Sequence, residues 1–276
     1  MAPPIEENRI EVRKTYKLYL NGEFARSESG RSYQPSADVN VPRGSRKDLR
    51  DAIKAARGAF AGWSARTAFN RGQILYRAAE MFDGRRQQFV AELGGGRAAR
   101  REVEQAIEAF VWYAGWTDKL AQVAGTVNPV AGPYFNFTLP EPTGVVGVVA
   151  PDAPALGGLV ARLAPALAGG NTVVALASET NPLAALTLGE IFATSDFPAG
   201  VVNILSGQRA ELLSWLGAHM DVNAVDGAGC SEVQFAALEE AAASNVKRVI
   251  RSSGALDPAA ITNLMEFKTV WHPIGQ

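Results

Sequence analysis

Between Val145 and Ile250 the chain alternates short apolar runs with segments of helical periodicity, and this rhythm limits the fold more than any other feature. Strands are expected at 145–150, 172–176, 201–205, 224–225 and 246–250, with helices at 156–168, 183–194, 210–218 and 232–243 between them. Strands that are apolar throughout, rather than at alternate positions, belong in a sheet buried on both faces. Strands separated by helices are joined in parallel, because a helix carries the chain back to the starting edge. The expectation is an α/β fold: a Rossmann-like parallel sheet covered by helices on both faces, with ligands outside the carboxyl ends of its strands.

The segments before and after this unit read differently. Residues 1–14 are polar and are expected to be flexible. In TYKLYLNGEF, Tyr16, Leu18 and Leu20 alternate with polar residues before Asn21-Gly22, the strongest short signal for a hairpin. Ser45 is a candidate N-cap for a helix carrying Leu49, Ile53, Ala56 and Phe60. A long helix is expected over 70–93, ended by Gly94, Gly95 and Gly96, and a third over 102–125 with Val103, Ile107, Phe110, Val111 and Ala114 inward. YFNFTLPEPTGVV reads as a hairpin turning near Pro140 and Pro142. MEFKTVWHPIGQ reads as a lone strand, with Phe267, Thr269 and Trp271 on one side, that must find a sheet edge elsewhere.

A net charge of −1 over 276 residues provides no field for nucleic acid. No apolar run reaches the ~20 residues that cross a bilayer, and MAPPIEENRIEVRK lacks the apolar core of a secretory signal. With a single cysteine, no internal disulfide framework is possible. A cytoplasmic protein without nucleic-acid or membrane partners is expected. No His/Cys/Asp/Glu cluster has the spacing of a metal site.

Seven stretches in one order resemble the NAD(P)-dependent aldehyde dehydrogenase superfamily: LYLNGEF, AIEAFVWYAGWTDKL, GPYFNFTLPEPTGVVGVVAP, RLAPALAGGNTVV, SETNPLAALTLGEIF, FPAGVVNILSG and AASNVKRV. The resemblance implies a cofactor-binding domain over 15–132 and 144–258, and an oligomerisation arm made of the hairpin 133–143 and the tail 264–276. Only 18 residues follow Pro258, too few for the family's separate catalytic domain. FKTVW is similar to the family's carboxyl-terminal tail, which pairs with a neighbouring subunit's sheet. The chain therefore looks like a truncated, degenerate member, similar to the non-catalytic second module of two-module aldehyde dehydrogenases.

The same resemblance implies which chemistry is missing. Ala153 falls at the oxyanion-stabilising asparagine and Ser252 at the general-base glutamate, so neither group's function is supplied. Cys230 falls at a serine that opens a helix against the cofactor's pyrophosphate, and is not the nucleophile; a small side chain in a vestigial phosphate turn is the expected role. Glu179 matches the ribose-binding glutamate, but Leu176 stands at its lysine partner. Gly207 and Gly229 match turns that let backbone approach the dinucleotide, whereas Arg209 and Leu213 replace two glycines beside the adenine. Arg209, Asp152 and Asp226 are each expected as solvated or loop-facing charges. GAGCSE lacks the third glycine of a dinucleotide fingerprint. NAD(P) is the cofactor implied by resemblance, with binding expected to be weakened or lost.

The expected function is a non-catalytic subunit assembling with a full-length aldehyde dehydrogenase, with itself, or with both. The alternatives are an NAD(P)-dependent dehydrogenase component whose catalytic cysteine comes from a partner chain, and a nucleotide-binding regulatory module.

Overall fold

The computed structural model describes residues 13–36 and 38–275. The expected flexible lead-in, 1–14, lies outside them as far as residue 12. Lys14, at its end, is held rather than free: Nζ lies 2.8 Å from Glu190 and 3.2 Å from Glu92.

A hairpin comes first, β1 (Leu18–Leu20) and β2 (Glu23–Ala25), turning at Asn21 and Gly22 with φ of 52° and 79°. Both positions need φ > 0, which Asn-Gly supplies. A second, short hairpin follows, β3 (Ser32–Ser36) and β4 (Val39–Pro42). Helix α1 (Arg46–Ser64) opens with the expected cap. Ser45 Oγ accepts the Asp48 N–H, and Asp48 returns by accepting the Ser45 N–H at 2.8 Å, a reciprocal capping box.

The single helix expected over 70–93 is two, α2 (Ala68–Gly84) and α3 (Arg86–Glu92), separated at Arg85, whose guanidinium pairs with Glu190. Gly94, Gly95 and Gly96 all have φ between 75° and 85°, a left-handed run that only glycine adopts readily. Helix α4 (Gly96–Ala114) starts at the last of them, earlier than expected, and the chain re-enters a helix only at α5 (Leu120–Ala124). On α4, Val103 and Phe110 are buried as expected; Val111 is exposed, and Ala106 and Tyr113 hold the inner face instead.

Strands β5 (Thr126–Asn128) and β6 (Tyr134–Pro142) form the next pair. No turn occurs at Pro140 and Pro142. The Ile274 N–H bonds Pro133 C=O and the Thr143 N–H bonds Leu264 C=O, so odd-numbered residues of this strand face the carboxyl-terminal strand and even-numbered ones face β5. Pro140 and Pro142 therefore point to the side that β5 vacates beyond Thr126↔Thr138, where no N–H is required.

The α/β unit then runs β7 (Val145–Val149), α6 (Ala155–Ala168), β8 (Thr172–Leu176), α7 (Leu183–Phe192), β9 (Val202–Leu205), α8 (Arg209–Ala218), β10 (Ala224–Asp226), α9 (Glu232–Ala243) and β11 (Arg248–Ile250). These elements match the expected ones apart from their ends. Parallel pairing links β11-β10-β7-β8-β9, and the amino-terminal hairpin adds β1, antiparallel to β9, and then β2, antiparallel to β1, giving order β11-β10-β7-β8-β9-β1-β2. Helix α6 is buried almost throughout, as a helix between sheet and outer helices must be.

A short helix, α10 (Ala259–Thr262), leads into β12 (Met265–Pro273). This last strand pairs within its own chain, antiparallel to β6 from Met265↔Pro142 to Pro273↔Tyr134, making a sheet of order β12-β6-β5. The resemblance led us to expect pairing to a neighbouring subunit; here β6 satisfies one edge of β12. Asn171 ties the two units together. It accepts the Gly144 N–H at 2.9 Å and donates to Leu264 C=O at 3.0 Å and Ala166 C=O at 3.2 Å. No helix among the described residues is long and apolar enough to cross a membrane.

Candidate functional site

The carboxyl ends of β7, β8, β9 and β10 deliver the expected residues to one side of the sheet. After β7 come Asp152 and Ala153, after β8 Ser178 and Glu179, after β9 Gly207 and Arg209, and after β10 Gly229 and Cys230.

Arg209 is not solvated. It is 5% exposed, and its guanidinium crosses the sheet edge to Asp152, with Nη1 2.8 Å from Oδ2 and Nη2 2.9 Å from Oδ1. Nη2 also donates to the Ala150 carbonyl at 2.7 Å. Asp152 is loop-facing as expected, yet engaged: it accepts the Ser178 hydroxyl at 2.7 Å and the Glu179 N–H at 3.2 Å. Burial pushes its pKa up, but the hydrogen bonds from Arg209 and Ser178 prevail and hold the carboxyl below its usual range. Glu179 accepts the backbone N–H of Arg209, the first residue of α8.

Asp226 also departs from expectation. It is 2% exposed, lies 3.7 Å from Arg162 Nε, and accepts the Ala228 N–H at 3.0 Å. A carboxylate this deep requires such partners. Arg162 donates onward to Gly158 C=O at 2.7 Å and Ser252 C=O at 2.9 Å.

The two glycines serve close packing. A Cβ on Gly229 would stand 2.1 Å from the Ala150 carbonyl oxygen, and one on Gly207 would meet Leu212 at 2.9 Å and the Gly44 backbone at 3.3 Å. Cys230 is 8% exposed, in the apolar cluster with Leu176, Leu205 and Leu213. The cap of α9 is its neighbour Ser231, which accepts the Gln234 N–H. Burial pushes the Cys230 thiol up, against the pull of Arg209 and Arg251. Alkylation of Cys230 by iodoacetamide at neutral pH should therefore be at least about tenfold slower in the native than in the urea-unfolded chain. Equal rates in the two states would show an accessible thiol.

Ala153 lines an open cleft of about 440 Å3 together with Pro154, Gln105, Glu108, Arg162 and Ser253. The Ser252 hydroxyl is buried with no hydrogen-bond partner among the described residues, while its two successors face the cleft. Among the described residues no cluster of three or more His, Cys, Asp or Glu could hold a metal ion. The aromatic run of α4 packs as core: Phe110 and Tyr113 are fully buried, and the Tyr113 hydroxyl donates to Ala255 C=O at 3.2 Å.

One site residue has no sequence signal. Glu102, in the middle of α4, accepts the Leu156 and Gly157 N–H groups at 2.8 and 3.0 Å and so caps α6 from outside. It lies more than a whole element away in sequence from the helix it caps, so no local pattern points to it.

Comparison with known proteins supplies the context for this geometry. Human retinal dehydrogenase 2 is 34% identical over 273 residues, which cover 94% of this chain and 52% of that protein. Cytosolic aldehyde dehydrogenase 1 of Elephantulus edwardii is 33% identical over 275 residues, covering 94% of this chain and 54% of the relative. Among solved structures, an aldehyde dehydrogenase from Bacillus cereus in complex with NAD+ superposes with a TM-score of 0.77 at 29% identity, covering 86% of this chain and 50% of that one. PnpE from Pseudomonas sp. WBC-3 gives a TM-score of 0.79 at 30% identity with the same coverage. The chain thus spans about half the length of the relatives it matches. The profile of the aldehyde dehydrogenase family matches residues 26–274, and with the Rossmann-like sheet in place, the chain belongs to that family.

Proposed function

We propose that this chain is a non-catalytic aldehyde-dehydrogenase-like subunit that assembles with a full-length aldehyde dehydrogenase in a structural or regulatory role. The observation that carries this reading is the chemistry of the cleft. Ala153 offers no side-chain donor for an oxyanion, and a preorganised donor of that kind typically contributes about 10²–10³ in rate. Ser252 is no base at neutral pH and its hydroxyl is buried. The sole cysteine is buried, with its thiol pushed up rather than activated.

The three-stranded sheet supports the assembly role. Val127, Phe135, Leu139, Phe267, Val270 and Trp271 are all exposed on it, and apolar groups gathered on one element mark an interaction surface. The outer edge of β12 adds backbone groups at Phe267, Thr269 and Trp271 that no strand pairs among the described residues, the odd-numbered positions that turn away from β6.

The test is the composition of the native complex. Isolated under native conditions, the chain should bring down a full-length aldehyde dehydrogenase in fixed stoichiometry, and Trp271→Asp should release it without unfolding the chain. A monodisperse monomer by light scattering that leaves such enzymes unaffected overturns the proposal. Aldehyde turnover with NAD(P) by the chain alone overturns it equally.

A further inference from the structure

We infer that the dinucleotide crevice of this fold is closed by the chain's own bridge, Asp152–Arg209–Glu179, and that the chain does not bind NAD(P).

In an open parallel sheet, the ligand lies across the carboxyl ends of adjacent strands. Here three adjacent strands, β7, β8 and β9, have their following loops tied to one another. The Arg209 side chain leaves the start of α8, behind β9, and reaches Asp152 and Ala150 C=O behind β7. Asp152 in turn accepts the Ser178 hydroxyl and the Glu179 N–H behind β8. Glu179 closes the loop on the Arg209 N–H. A ligand laid over this edge would have to displace a bidentate pair, which is among the stronger hydrogen-bonded contacts a protein makes.

Several of the groups a dinucleotide uses are engaged within the chain. A pyrophosphate binds where helix N-termini present free N–H groups. At α6, two of those N–H groups are held by the Glu102 carboxylate; at α8, the first is held by Glu179; at α9, the Ser231 capping box uses its own. Of the four helix starts that follow these strands, α6 and α8 therefore present a carboxylate where the ligand's anion would have to sit, α9 is capped by its own serine, and α7, which starts behind Pro182, carries no side-chain cap. Glu179, the residue the resemblance assigns to ribose, has an oxygen engaged within the chain. Leu176, 3% exposed, provides no cation at the end of β8. On the β10 side, the Gly229 loop lies so close to Ala150 that a Cβ could not fit between them.

Titration of the full chain with NADH and NADPH, followed by nicotinamide fluorescence and calorimetry, tests this directly. No saturable binding is expected up to several millimolar; saturation with a Kd below about 1 mM (roughly the −4 kcal/mol level) overturns the inference. Two variants test the bridge itself. Arg209→Gly combined with Leu176→Lys removes the guanidinium and restores a cation, and should gain at least tenfold in NADH affinity. Asp152→Asn with Arg209→Gln removes both charges while leaving polar side chains in place, and guards against a poorly folding first variant. If both fold, by circular dichroism and thermal melting, and neither gains binding, the bridge is not what excludes the cofactor. The inference stands apart from the assembly proposal: NADH binding would defeat it while the composition of the native complex stayed the same.

Discussion

Phe192→Ala is expected to destabilise the folded chain by about 3–5 kcal/mol, the range for deleting a buried phenyl ring that its neighbours cannot replace. Phe192 ends α7 and is 1% exposed. Its ring meets Phe197 edge-on at 5.1 Å, Phe110 of α4 at 6.0 Å and Tyr19 of β1 at 6.4 Å. These rings come from the amino-terminal hairpin, an outer helix and the loop before β9. Collapse around the cavity would need all three to move together, so the cost should sit at the upper end for its type. Urea denaturation should show the loss as a lower midpoint at unchanged slope. Phe69→Ala serves as the control: with that ring 64% exposed, less than about 1 kcal/mol is expected. A loss below about 1 kcal/mol for Phe192→Ala would mean that the ring cluster does not join these elements.

Asp226→Ala is expected to cost about 3 kcal/mol, through what it leaves behind rather than what it removes. The Arg162 side chain is 8% exposed, and Asp226 is its carboxylate partner. Truncation strands a buried guanidinium and leaves the Ala228 N–H without its acceptor. The sign of the argument is checkable by the double variant. Asp226→Leu with Arg162→Met removes both charges from the same volume and should cost less than Asp226→Ala alone. Additive losses for Asp226→Leu, Arg162→Met and the double variant would show that the two residues act independently.

The region that could be read from sequence is the region whose signals are local. From Val145 to Ile250, strands buried on both faces are apolar at every position and helices fill the gaps, so type and order follow from short windows. Asn21-Gly22 and the Ser45 cap were legible for the same reason: each is a local signal. Pro140 and Pro142 were not, because their place in a strand depends on where β5 stops and β12 begins. The break at Arg85 was not read either; it follows Gly84, and the Arg85 guanidinium there pairs with Glu190, far along the chain.

The charged residues of the crevice were the least legible. Taken singly, Arg209 and Asp226 look like surface charges, which is the ordinary condition of their residue types. Their burial comes with partners far away in sequence, Asp152 behind β7 for Arg209 and Arg162 on α6 for Asp226. The candidate site was found in sequence only through resemblance, which located the positions of Glu179, Gly207, Gly229 and Cys230 but not what each would touch.

The arm has one property that bears on how this chain reaches its fold. Its two long strands, β6 and β12, flank the whole α/β unit, with residues 143–264 between them. Bringing strands so distant in sequence together in an open chain carries the loop-closure entropy of the whole intervening segment. Once that segment is folded, Gly144 and Leu264 are already side by side on Asn171. Zipping then starts from a preset register. The pairing of β12 with β6 is thus expected to follow the folding of the α/β unit, an order that pulsed hydrogen exchange during refolding would check.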